Sequence, residues 1–194
     1  MKKQLILSLM TLVLTVPASF AKSTNTFQIV ENHQHHKGTD HSKHLKSYYE
    51  AKVADLDIKF YMFDFKEVNK KINKLSSDGY SCSMHPFIIM EDGGSCPICN
   101  MNMNKKTKKA LLLDTSKSNN HIEVVVLKSG KAVTDAKVKI KVIAPDKKDS
   151  QLMLDNMMGS YGLDLQLKQK GKHGIITLVK IGNKERVAKF YYNN

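Results

Sequence analysis

Three cysteines, Cys82, Cys96 and Cys99, fall within 18 residues of a 194-residue chain that has no others. An odd number of thiols packed so closely cannot all pair as disulfides, so the segment must fold around something else. Cys96-Pro97-Ile98-Cys99 is a two-residue-spaced thiolate pair with a proline that stiffens the loop, the geometry that turns two sulfurs toward one ion. Cys82-Ser83-Met84-His85-Pro86 places a thiolate, a thioether and an imidazole within four residues, and Asp92-Gly93-Gly94 lets the intervening chain fold back. Met101 and Met103 add two thioethers just past Cys99.

The donor types leave two metals open. Thiolate with thioether suits copper(I) or silver(I), and a thioether has no proton to lose. Cys82, His85, Cys96 and Cys99 taken alone spell C-x2-H-x10-C-x2-C, a spacing equally suited to a structural zinc knuckle. The candidate ligands are therefore Cys82, Met84, His85, Cys96, Cys99, Met101 and Met103.

The N-terminus reads as an export signal. Lys2 and Lys3 precede an apolar run from Leu5 to Val16, and Ser19-Phe20-Ala21 offers small residues where a signal peptidase cuts, which sets cleavage near Ala21. The run is far shorter than the roughly 20 residues of a membrane-spanning helix. The expectation is a periplasmic or secreted protein with no stable membrane insertion after cleavage. Unprotected thiols are unsuited to such a compartment, which strengthens the case for a metal.

The formal charge of +13 comes almost entirely from lysine, with Arg186 the only arginine. An arginine-poor, tryptophan-free exported chain is not expected to read nucleic acid, and the lysines read as a solvated surface. Residues 22–44 lack periodic apolar side chains and read as a disordered tail. His33, His35, His36, His41 and His44 lie in it and make a weak metal-capture arm.

From residue 45 to 78 the reading is mainly helical. Phe65, Val68, Ile72 and Leu75 fall at helical spacing behind a cap at Asp64, while Leu56 to Met62 alternates like a strand yet also fits a continued helix. The cysteine module spans 79–104, and 105–119 reads as a linker. Residues 120–194 read as six or seven short strands, with alternation at Ile122/Val124/Val126, Val138/Ile140/Val142 and Leu163/Leu165/Leu167, then Ile175 to Lys180 and Val187 to Tyr192. The expected class is α+β: a small helical segment and a metal-binding knuckle followed by an antiparallel immunoglobulin-like β-sandwich. Met153, Met157 and Met158 lie between strands, where packing is favoured over copper(I) binding. His121 and His173 read as ordinary surface residues.

The module resembles a known family, the small heavy-metal-binding domain with the pattern Y-x-C-P-M-H-P followed by C-P-x-C-G-M, found in copper-transporting P-type ATPases and in adaptors of copper and silver efflux pumps. Tyr80, Cys82, Met84, His85, Pro86, Cys96, Pro97, Cys99 and Met101 stand where the family has them. Ser83 replaces its proline and Asn100 its glycine. The C-terminal region resembles, more weakly, FixH/YtkA-type envelope domains. The resemblance implies a non-catalytic copper(I) or silver(I) chaperone or sequestering protein, with an envelope efflux or cuproprotein partner. Its rivals are an adaptor with structural zinc and a thiol-disulfide oxidoreductase using Cys96 and Cys99, although the latter lacks a βαβ setting.

Overall fold

The computed structural model describes residues 45–194. The export signal and the tail histidines His33, His35, His36, His41 and His44 lie outside the described residues. Among the described residues no helix is long and apolar enough to cross a membrane.

The chain begins with a hairpin, β1 (Tyr49–Val53) and β2 (Leu56–Asp64), turning through Ala54 in the left-handed region at φ 55°. In β2, Leu56, Ile58, Phe60 and Met62 are buried and alternate with half-exposed residues. That period of two is the reason residues 49–64 form strands, and it corrects the mainly helical expectation for 45–78. Helix is confined there to α1 (Phe65–Lys74). Asp64 caps it by accepting from the backbone N–H groups of Lys66 and Glu67, Glu67 sits in the first turn, and Lys71 and Lys74 sit in the last. Phe65, Val68 and Ile72 form its buried stripe, as the spacing predicts.

The cysteine segment supplies a small sheet of β3 (Gly79–Ser81), β4 (Ile89–Met90) and β5 (Asn104–Lys106), in the order β4-β3-β5. The presumed linker that follows is ordered. Thr107 caps a short helix α2 (Lys108–Leu111), Leu111 is buried, and the Asn69 side chain clips the next residues by donating to Leu113 O and accepting from Leu113 N–H.

The remaining strands are β6 (Asn120–Lys128), β7 (Lys131–Ala132), β8 (Lys137–Ile143), β9 (Asp149–Met153), β10 (Asp155–Asn156), β11 (Tyr161–Leu165), β12 (Lys172–Ile181) and β13 (Lys184–Asn193). One sheet runs β1-β2-β6-β11-β10 with β7 also on β6, another runs β13-β12-β8-β9, and every pairing is antiparallel. Side chains from both meet in one apolar cluster, among them Phe60, Ile122, Val124, Ile140, Tyr161, Ile175, Val179 and Phe190.

The domain boundary expected at residue 120 therefore does not hold. β2 pairs with β6 over its whole length, Leu56↔Lys128 to Asp64↔Asn120, so the metal module is an insertion between two neighbouring strands. It packs on the outer face of the sheet. In β6, Ile122 and Val124 point into the shared core, yet His121 and Glu123, on the opposite face, are just as buried. At the end of β2, Met62 likewise joins the shared core while Phe63 joins a second apolar cluster with Val68, Ile72, Cys82, Phe87, Cys96 and Met103.

A fragment limited to residues 120–194 would lose the inward side chains of β2 and expose the β6 edge. We expect it to show no cooperative thermal unfolding by circular dichroism, whereas a chain beginning at Leu45 unfolds in one sharp transition. A cooperative transition in the short fragment would contradict this.

Candidate metal centre

Two tight turns bring the donors together. After β3, Cys82 leads into a turn in which the Ile88 N–H donates to His85 O. Ser83 tethers this turn to β5, its Oγ accepting from Asn104 Nδ2 at 2.9 Å. In the second turn the Cys96 N–H donates to Met101 O, and the Asn100 N–H donates to Cys96 O, both at 2.8 Å. Asn100 has φ 59°, the left-handed conformation that favours glycine and that asparagine tolerates better than most residues. Asparagine in place of the family's glycine thus leaves the turn intact.

Cys82, His85, Cys96 and Cys99 each point one ligand atom at a common centre, with all four atoms within 4.8 Å of one another. Cys82 Sγ lies 3.5 Å from Cys99 Sγ and 3.8 Å from His85 Nδ1, and Cys96 Sγ lies 3.5 Å from His85 Nδ1. Bonds of about 2.0–2.3 Å to a tetrahedral ion require donor separations of roughly 3.3–3.8 Å, so the residues present fit one four-coordinate ion. Cys82, His85 and Cys96 are buried, while Cys99 is part-exposed and forms the accessible edge.

The methionines stand differently. Met103 is buried in the apolar cluster that contains Cys82 and Cys96, and Met84 and Met101 pack half-buried against it. The Cys3His group is complete without them.

The thiols are electrostatically unequal in the metal-free chain. Burial pushes the Cys82 thiol up, but hydrogen bonding from the His85 side chain and from the backbone of His85 and Met84 outweighs it and brings Cys82 down to about 7. Burial dominates at Cys96, pushing it up to about 12, and it also raises Cys99. Cys82 is therefore the most readily ionised of the three thiols.

Behind His85 lies a polar chain that sequence reasoning missed. His85 Nε2 faces Glu123 Oε1 at 3.4 Å, an ionic approach without hydrogen-bond alignment, since neither atom has a hydrogen-bond partner. Glu123 Oε2 lies 2.9 Å from His121 Nε2, and His121 Nδ1 lies 2.7 Å from Asp164 Oδ1, which reaches the surface. The register explains this row, because His121 sits directly across from Phe63 and Asp164, and Glu123 directly across from Tyr61 and Gly162. Phe87 of the module covers it, stacked on the His121 ring at 4.2 Å and edge-on to His85 at 5.8 Å. His121 and His173 are 4 % and 1 % exposed, which corrects their reading as surface residues.

Burial alone would raise Glu123, yet the imidazoles of His121 and His85 hold it down at about 2. Burial would likewise lower His85 and His121. Glu123 instead raises His85, and Asp164 with Glu123 raises His121. The Glu123 carboxylate faces Nε2 and the sulfurs face Nδ1, so the charge behind the ring favours the orientation in which Nδ1 is offered to the cluster.

These shifts set a pH window for the metal-free protein. The Glu123 contribution is fully present above its ordinary value of 4.5 and is lost as pH falls toward about 2. The His121 contribution is fully present below the ordinary imidazole value of 6.5 and is lost as pH rises through its raised folded value. Glu123→Gln should cost roughly 3 kcal/mol between these limits, because it strands a buried imidazolium. Thermal unfolding of metal-free wild type and variant from pH 3 to 9 checks this, and parallel curves at every pH would refute it.

A family model described as a heavy metal binding domain matches residues 80–106. No curated protein and no solved structure matches the chain. The matched segment contains all four converging donors, so this part of the chain carries a heavy metal binding domain with a Cys3His group able to hold a metal ion.

Proposed function

We propose that this is an exported, non-catalytic protein that binds copper(I) or silver(I) at Cys82, His85, Cys96 and Cys99, and carries or sequesters the ion in metal homeostasis or resistance. The observation that carries the reading is the convergence of three cysteine sulfurs and one imidazole on a single centre inside a heavy metal binding domain. Thiolates outnumber nitrogen three to one, which favours soft cations, and Met84, Met101 and Met103 pack in or against the apolar cluster that contains Cys82 and Cys96. The part-exposed Cys99 supports transfer, since a ligand at the surface is one a competing thiol can reach. Ligand exchange is the only chemistry this role needs. Export is supported by the Lys2-Lys3 and Leu5 to Val16 signal pattern. We further read the paired sheets as an immunoglobulin-like sandwich of the FixH/YtkA kind, an envelope scaffold on which an efflux or cuproprotein partner docks.

One observation favours a second reading. Donor separations of 3.5–3.8 Å are those of a tetrahedron, the preferred geometry of structural zinc, and Cys3His is a common zinc set. In that case the module is a knuckle that stiffens an interaction domain.

Anaerobic titration with copper(I) against a chelator of known affinity decides between the two. We expect one tightly held copper(I) that displaces zinc and is lost in the double variant Cys96→Ser/Cys99→Ser. A protein that retains one zinc against excess copper(I) would instead establish the structural reading.

A further inference from the structure

We propose that Met157, His121 and Glu123 form a second ion site, for a soft monovalent cation such as copper(I) or silver(I), adjoining the cysteine cluster across the Glu123 carboxylate. The choice of ion rests on the soft-metal reading above. The convergence of the side chains does not.

The three donors meet over Gly162. A Cβ added to this residue would collide first with Met157 Sδ, then with His121 Nε2 at 2.8 Å and Glu123 Oε2 at 2.9 Å. Only glycine lets β11 pass beneath them, so a thioether, an imidazole and a carboxylate sit together over the strand at this point. Met157 belongs to neither apolar cluster. A methionine used for packing buries its sulfur among hydrocarbon, whereas the Met157 sulfur lies over Gly162 beside a nitrogen and an oxygen.

The chemistry of the set is consistent. His121 Nε2 and Glu123 Oε2 lie 2.9 Å apart, a hydrogen-bonded pair that an ion taking the place of the proton would spread by about half an ångström. Asp164 accepts from Nδ1–H on the far side of the ring, the carboxylate-imidazole arrangement that commonly orients a metal-binding histidine. An ion bound at Nε2 displaces its proton to solvent. Neutral imidazole, neutral thioether, one carboxylate and one monovalent cation sum to no net charge, which suits a place where His121 and Glu123 are 4 % and 0 % exposed. Glu123 Oε1 has no hydrogen-bond partner and faces His85, so the same carboxylate borders both sites. Next to Met157, Met158 is 68 % exposed and gives an incoming soft ion a first thioether at the surface.

The test is silver(I) titration of the anaerobic, metal-free full chain, followed by NMR of methionine methyls, cysteine Cβ and histidine ring nitrogens. Cysteine Cβ shifts report the first site independently. Two equivalents should bind, one moving the cysteine signals and the other moving the Met157 methyl and His121 Nε2 together. Met157→Leu, which conserves volume, should weaken the second step at least tenfold and leave the cysteine shifts unchanged. His121→Gln should likewise weaken the second step at least tenfold. A Met157 methyl that stays still through two equivalents, or a His121 Nε2 shift that persists undiminished in Met157→Leu, overturns the second site whatever the cysteines do. Cysteine signals that stay still would overturn the function proposed above and leave this site standing.

Discussion

The buried carboxylate of Glu123 is the constraint on which the rest of the structure depends. A charge with no solvent exposure is stable only with compensation, and here it comes from imidazoles on two sides, His121 from its own strand and His85 from the inserted module. The sheet cannot cover that carboxylate by itself. The module does so, bringing Phe87 over the His121 ring and Phe63 against Phe87 at 4.3 Å. Metal site and scaffold are thus joined by a polar contact inside an apolar wrap. The same contact places a carboxylate behind Nε2 while Nδ1 faces the thiols, so a strand far along the chain contributes to the orientation of His85.

Much of the candidate site was legible in the sequence because its constraints are local. Two-residue cysteine spacing, a proline within the pair and a histidine three residues after Cys82 are covalent-scale facts, and the fold had little freedom to move them. The α1 helix was readable for the same reason, through its Asp64 cap and the spacing of Phe65, Val68 and Ile72. The alternating strands β6, β8, β12 and β13 also announced themselves.

What stayed hidden depended on contacts between distant segments. In β6 the run Ile122, Val124, Val126 marks one buried face, and alternation then implies that His121 and Glu123 face water. They do not, because the module inserted between β2 and β6 folds over them. Polar residues covered in this way leave no periodic signal. The one available clue was a histidine, a glutamate and, across the next strand, an aspartate and a glycine at matching positions, and it can be recognised only once the register is known. Leu56 to Met62 was ambiguous because a short apolar alternation fits either period, and its pairing with Tyr49–Val53 and Asn120–Lys128 decided the matter.

The insertion also bears on the order of assembly. Before β2 can lie against β6, the chain must bring Asp64 to Asn120, closing a loop that contains every thiol in the protein. An ion bridging Cys82 and Cys99 shortens that loop by about a third, which lowers the entropic cost of closure by only about 0.3 kcal/mol. Strand pairing therefore has little reason to wait for metal. The hydrophobic register of β2 and β6 sets the frame, so the ends of the cysteine-bearing loop are anchored whether or not the Cys3His group holds an ion.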